Sequence, residues 1–169
     1  MKFSDIIQWN PRGIKNKRNQ LQILAHMCKA QVITLGETKL PYGEDYEFSG
    51  FKVYTKNLQV GPDGNAHGGV AILARREVAP NEIRLKTHFQ AIAVSVKLHK
   101  RVTICSIYIP PGVNNDFSER ELEDLLKQLP KPYLLLGDVN AHNTLWYGRH
   151  ICGRGKKIEN VLVNNDFFY

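Results

Sequence analysis

Short apolar runs alternate with helical stripes along the chain. Ile6-Ile7-Gln8-Trp9, within residues 5–10, predicts a buried strand that stops at the turn residues Asn10-Pro11-Arg12-Gly13. Leu21, Leu24, Ala25 and Cys28 then recur at i, i+3, i+4 and i+7, which predicts an amphipathic helix from Asn19 and places Cys28 in the core. Val32-Ile33-Thr34-Leu35 predicts a second buried strand, closing on Gly36-Glu37-Thr38. Residues 51–54 alternate like a half-buried strand, and residues 57–69, with Gly61-Pro62-Asp63-Gly64 and His67-Gly68-Gly69, read as a long loop before a strand at Val70-Ala71-Ile72-Leu73.

Residues 91–98 and 101–109 predict an antiparallel hairpin whose second strand ends at Tyr108-Ile109-Pro110-Pro111. Ser118 and Glu121 have capping-box spacing, and Leu122, Leu125, Leu126 and Leu129 continue at helical period. Tyr133-Leu134-Leu135-Leu136 predicts a buried strand ending at Gly137-Asp138-Val139-Asn140, and Ile158, Val161 and Leu162 a last short helix. The chain finishes on Phe167-Phe168-Tyr169, which would leave an apolar patch bare, so the sequence is expected to be cut short there. With neither repeat nor linker, this order predicts one domain over residues 1–169, an α/β sandwich with mixed sheets.

Composition narrows the function classes. At 169 residues the chain can bury roughly 70% of its unfolded surface without a disulfide or metal staple. The three cysteines, Cys28, Cys105 and Cys152, form no Cys-x-x-Cys pair and suggest neither a disulfide framework nor a zinc module. No run approaches a membrane span, and Met1-Lys2-Phe3-Ser4-Asp5 meets polar residues too early for a signal peptide, so a soluble intracellular protein with no membrane partner is expected. The 23 Lys+Arg against 16 Asp+Glu leave a net charge of +7, which suits a polyanion such as nucleic acid.

Chemistry concentrates where predicted strands end. Asn10, Glu37, Tyr108, and the pair Asp138 and Asn140 follow four such strands and converge if those ends share one edge. Two carboxylates with amide oxygens suit a hard divalent cation such as Mg²⁺. Each residue also has an ordinary reading: Asn10 and Asp138-Val139-Asn140 as turn chemistry, Glu37 as a solvated strand end, Tyr108 as a packed aromatic.

Taken in order, the motifs resemble the endonuclease/exonuclease/phosphatase superfamily, and within it the apurinic-endonuclease-like domain of jockey-type non-LTR retrotransposons. The resemblance runs through Ile6-Ile7-Gln8-Trp9-Asn10, Gly36-Glu37-Thr38, His67-Gly68-Gly69-Val70-Ala71-Ile72, Ser106-Ile107-Tyr108-Ile109-Pro110-Pro111, Leu136-Gly137-Asp138-Val139-Asn140-Ala141-His142 and Gly153-Arg154-Gly155. It implies a four-layer αββα sandwich of two mixed β-sheets flanked by helices. It also implies Mg²⁺-dependent cleavage of double-stranded DNA, with Mn²⁺ as a substitute ion. The nick would prime reverse transcription of element RNA by a downstream reverse transcriptase, in the nucleus after cytoplasmic synthesis.

By the same resemblance, Glu37 binds the metal, Asn10 and Asn140 hold the metal shell, phosphate or attacking water, Asp138 orients or activates that water, and Tyr108 contacts the scissile phosphate. The family continues into a further Asp and a Ser-Asp-His motif that this sequence lacks, so the domain is expected to be incomplete at its C-terminus. His142 and His150 do not substitute for that motif by position. Arg12, Lys15, Lys17 and Arg18 either contact DNA phosphates or form a solvated helix start. Trp146 and Tyr147 either meet a base or pack under a loop. Two other readings stay open: a phosphoesterase of the same superfamily acting on phosphoinositide, sphingomyelin or RNA, and a catalytically incomplete relic.

Overall fold

In the computed structural model β1 (Ile6–Trp9) lies parallel to β2 (Val32–Gly36), and the helix α1 (Arg18–Met27) makes the connection between them. The structure describes residues 6–112 and 116–165; Met1-Lys2-Phe3-Ser4-Asp5 and the terminal Phe167-Phe168-Tyr169 singled out above lie outside the described residues. β3 (Phe51–Lys56) and β4 (Val70–Arg75) complete a sheet of order β1-β2-β4-β3, antiparallel except for the first pair. A second sheet has the order β5-β6-β7-β8, built from β5 (Asn81–Ile83), β6 (Gln90–Lys97), β7 (Arg101–Tyr108) and β8 (Tyr133–Asp138), with only β7 and β8 parallel. Both sheets are therefore mixed.

The continuous apolar runs of β2 and β4 are explained by burial on both faces. Val32, Val70, Ile72 and Ala74 face one way and join Ile92, Val94, Val96 and Ile104 of the second sheet in a core between the sheets. Ile33, Leu35, Ala71 and Leu73 face the other way and meet Leu21 and Ala25 of α1, with Ile14, Leu40 and Phe48. Cys28 departs from expectation: α1 stops at Met27, and Cys28 at its C-cap is exposed, because the helix ends before the stripe turns inward again. β8 departs as well. It is not a buried strand, since it forms the edge of its sheet and Leu134 is 43% exposed. The three-residue β5 carries no hydrophobic run long enough to read from sequence.

Two compact units divide the chain. One comprises residues 1–108 and 129–138 and holds both sheets and α1; the other comprises residues 109–128 and 139–169. In the second, α2 (Glu119–Leu126) and α3 (Gly153–Asn164) pack together, with Asn160 Nδ2 donating to Glu119 Oε1 at 2.7 Å. α2 starts in the expected capping box, Ser118 and Glu121 each accepting from the other's backbone N–H. α3 begins earlier than its apolar residues announce, at Gly153, with Cys152 as N-cap. Among the described residues no helix is long and apolar enough to cross a membrane.

Candidate active site

The first unit brings four of the expected residues to the C-terminal ends of four strands. Asn10 follows β1, Glu37 follows β2, Tyr108 ends β7 and Asp138 ends β8. Tyr108 and Asp138 are register partners across the parallel β7–β8 pair, and β1 and β2 are in step one residue earlier, with Trp9 opposite Leu35. Parallel pairing in each sheet thus points two chain ends the same way. Two hydrogen bonds then join the sheets: the Tyr108 hydroxyl donates to Glu37 Oε1 at 2.6 Å, and Asn10 Nδ2 donates to Asp138 Oδ2 at 3.1 Å.

Local geometry holds each group in place. Asn10 Oδ1 accepts from the Arg12 N–H at 3.1 Å, which together with the Asp138 contact settles which way its amide points. Glu37 sits at φ 49°, a left-handed conformation unfavourable for a side-chain-bearing residue. It is maintained by the bonds from Gly13 N–H to the Glu37 carbonyl (2.8 Å) and from Thr38 N–H to the Gly69 carbonyl (3.2 Å). Gly137, one residue before Asp138, has φ 151°, and a Cβ there would collide with the Ile107 carbonyl on β7, so only glycine lets β8 close on β7 at this point.

Hard oxygen donors dominate this edge. Glu37 gives one oxygen to Tyr108, and its Oε2 has no partner among the described residues. Among the described residues no cluster of three or more His, Cys, Asp or Glu could hold a metal ion. Two carboxylates beside an amide fit an ion that keeps several waters, as Mg²⁺ and Mn²⁺ do.

Asn140 lies in the second unit, at φ 46°, and its Nδ2 donates to the Ile109 carbonyl at 3.0 Å. Arg154, whose surroundings along the chain announce no role, braces the same segment. Its guanidinium donates to the carbonyls of Pro110 (3.0 Å), Val139 (3.1 Å), Asn140 (3.3 Å) and Gly112 (3.0 Å). His142 and His150 stack with ring centroids 5.0 Å apart. The Cys152 thiol accepts from the N–H groups of His142 and Gly155, and the former chiefly draws its pKa below the ordinary value.

The expected nucleic-acid contacts are differently engaged. Lys15 pairs with Glu44 at 2.7 Å, Lys17 and Arg18 lie over the rings of Trp9 and Tyr46, and Arg12 is exposed. Trp146 is half-buried, its indole N–H donating to the Ala141 carbonyl at 2.9 Å, whereas Tyr147 is fully exposed. No motif or periodicity singles out Gln90, whose Oε1 accepts from the Gly69 N–H at 2.7 Å.

Residues 102–169 match the family described as Endonuclease-reverse transcriptase. The chain is 27% identical over 160 residues to the probable RNA-directed DNA polymerase from transposon BS of Drosophila melanogaster, covering 93% of this chain and 17% of that one. It is 24% identical over 168 residues to the RNA-directed DNA polymerase from mobile element jockey of the same species, covering 94% and 17%. The chain thus spans about a sixth of the length of the curated relatives it matches. An AP endonuclease from Leishmania major superposes with a TM-score of 0.71 at 13% identity, over 94% of this chain and 65% of that one. An endonuclease/exonuclease/phosphatase family protein from Leptotrichia buccalis does so with a TM-score of 0.65 at 15% identity, over 95% and 74%.

This is the endonuclease/exonuclease/phosphatase fold. Its two mixed sheets and the parallel pair in each account for the convergence of Asn10, Glu37, Tyr108 and Asp138. In sequence, the chain is similar to the RNA-directed DNA polymerases of the jockey, BS and X-element transposons.

Proposed function

We propose that this chain is the nuclease part of a non-LTR retrotransposon protein and hydrolyses a phosphodiester bond in double-stranded DNA. The observation that carries the reading is the joining of four strand ends by the Tyr108–Glu37 and Asn10–Asp138 hydrogen bonds. The net charge of +7 and the likeness to transposon polymerases favour DNA over a phosphoinositide or sphingomyelin headgroup.

Glu37 and Asp138, with Asn10, would hold a Mg²⁺ or Mn²⁺ ion. When bound, such an ion supplies neutralisation of charge on the phosphoryl oxygens. The chain's own groups do the rest. Asp138 accepts a proton from the attacking water, Asn10 keeps that carboxylate oriented, and the Tyr108 hydroxyl steadies Glu37 and faces the phosphate. Asn140 is the proposed amide partner for phosphate or water. The water oxygen bonds to phosphorus as the P–O3′ bond breaks, and the leaving oxygen takes a proton from solvent. The nick frees a 3′-hydroxyl for a downstream reverse transcriptase copying element RNA, and chromosomal DNA as substrate implies action in the nucleus.

The test is nicking of supercoiled plasmid with Mg²⁺ by the chain, alone and joined to the sequence that follows Tyr169 at its locus. Asp138→Ala should lower nicking about 10²–10³-fold with the fold intact, the range for loss of one transition-state group. Undiminished nicking by Asp138→Ala would refute its role. DNA binding that is salt-sensitive and indifferent to Mg²⁺, with no cleavage from either form, would instead identify a binding-only relic.

A further inference from the structure

Gln90 stands at the start of β6 as the register partner of Tyr108 on β7, so it belongs to the second sheet. Its side chain crosses to the first sheet, where Oε1 accepts from the N–H of Gly69, the residue before β4. Gly68 and Gly69 are both left-handed, at φ 85° and 84°. Their carbonyls in turn accept from Lys39 N–H (2.8 Å) and Thr38 N–H (3.2 Å). That places Gln90 one hydrogen bond from the strap that holds residues 37–39.

Those residues need holding. Glu37 and Lys39 are both in the left-handed region, at φ 49° and 53°, with the fully buried Thr38 between them. Such conformations persist only where the surroundings over-determine them. Gly13 and Ile14 supply one side of the clamp, through bonds to the carbonyls of Glu37 (2.8 Å) and Thr38 (3.0 Å); Gly68 and Gly69 supply the other. Fit is tight there: a Cβ at Gly69 would stand 2.5 Å from Thr38 Oγ1, and one at Gly68 would collide with the Gln90 carboxamide.

We infer that Gln90 is a positioning residue for Glu37: its carboxamide fixes Gly68-Gly69, the two glycines fix the left-handed turn of residues 37–39, and that turn sets the direction of the Glu37 carboxylate. The inference rests on the reading of Glu37 as a metal ligand given above, and extends it to a side chain 53 positions further along that touches neither the ion nor the substrate. Tyr108 and Gln90, neighbours on adjacent strands, then act on Glu37 from two directions, one through its carboxylate and one through its backbone.

The experiment uses the whole chain with Gln90→Met, which keeps length but removes the acceptor, and Gln90→Glu, which keeps an acceptor. Mn²⁺ binding is followed by electron paramagnetic resonance, and amide exchange at Thr38, Lys39 and Gly69 by NMR. Gln90→Met should weaken Mn²⁺ binding about tenfold, the effect of losing a group behind a metal ligand, and speed exchange at all three amides. Gln90→Glu should keep exchange slow. Wild-type exchange and Mn²⁺ affinity in Gln90→Met would overturn the inference. So would an affinity loss matched by Val53→Ala, a change at a half-buried residue of β3 chosen as a control for general destabilisation. Glu37→Gln separates the two ideas: if it binds Mn²⁺ as the wild type does, the metal reading of Glu37 fails, while exchange in Gln90→Met still decides whether Gln90 holds the turn.

Discussion

Tyr108 and Glu37, 71 residues apart in sequence, are joined by a 2.6 Å hydrogen bond that runs from the end of β7 in one sheet to the residue after β2 in the other. The donor is a buried phenol and the acceptor a carboxylate, the stronger class of hydrogen bond. It anchors one carboxylate oxygen and leaves the other turned elsewhere.

Tyr108→Phe keeps the ring's packing and removes only that donor. The variant should lose about 1.5 kcal/mol in urea unfolding, the net value of a hydrogen bond to a charged group at a partly exposed site. Mn²⁺ affinity should fall with it. An unchanged unfolding midpoint would show that the bond is replaced by water at no cost.

Asn10→Asp sets a second carboxylate against Asp138 Oδ2, where Asn10 Nδ2 now donates at 3.1 Å. Like charges so close favour a shared proton in the folded state, so the folded variant binds more protons than the unfolded one. Its stability deficit is therefore present at pH 7 and shrinks as pH falls toward about 4, the ordinary carboxylate range. Mg²⁺ should narrow the deficit at pH 7. Thermal melts of both proteins at about pH 7 and at about pH 4.5, close to the carboxylate range, with and without Mg²⁺, check the sign.

Arg154→Lys exchanges a planar fork for a single point donor. Carbonyls of Pro110, Gly112, Val139 and Asn140 now share that fork. Lysine cannot reach all four, so stability should drop by about 2 kcal/mol, and amide exchange at residues 139–143 should accelerate. Exchange as slow as in the wild type would mean that Asn140 is held without Arg154.

Burial raises the Cys105 thiol from 9.0 to about 12, so the folded thiol stays protonated where an unfolded one ionises. The stability this contributes is complete below pH 9.0 and is lost as pH rises toward about 12. Loss proceeds at about 1.4 kcal/mol per pH unit within that window. Cys105→Val should flatten the alkaline limb of the stability profile. In native protein near neutral pH, below the ordinary thiol range, iodoacetamide should label the exposed Cys28 and spare Cys105; early labelling of Cys105 would contradict its burial.

Periodicity and punctuation are local properties, and the elements they specify came out of the sequence directly. β2, β4, the β6–β7 hairpin and α2 with its Ser118–Glu121 capping box are each dictated by residues within a few positions of one another. The polar strand ends at Asn10, Glu37, Tyr108 and Asp138 were legible for the same reason, because a strand stops where its apolar run meets turn chemistry. Cys28 was misplaced because the same stripe continues past the point where the helix ends, and β8 because an apolar run does not say whether its strand has a neighbour on each side.

Relationships between distant residues had no such trace. Asn10 meets Asp138 across 128 positions, and Gln90 reaches Gly69 from the other sheet. Nothing in the surroundings of either residue along the chain encodes its partner. These contacts exist because two sheets, each with one parallel pair, bury their inner faces against each other and so bring four strand ends to one edge. Burial of that shared core sets the sheet-to-sheet register, and the register selects which polar side chains meet.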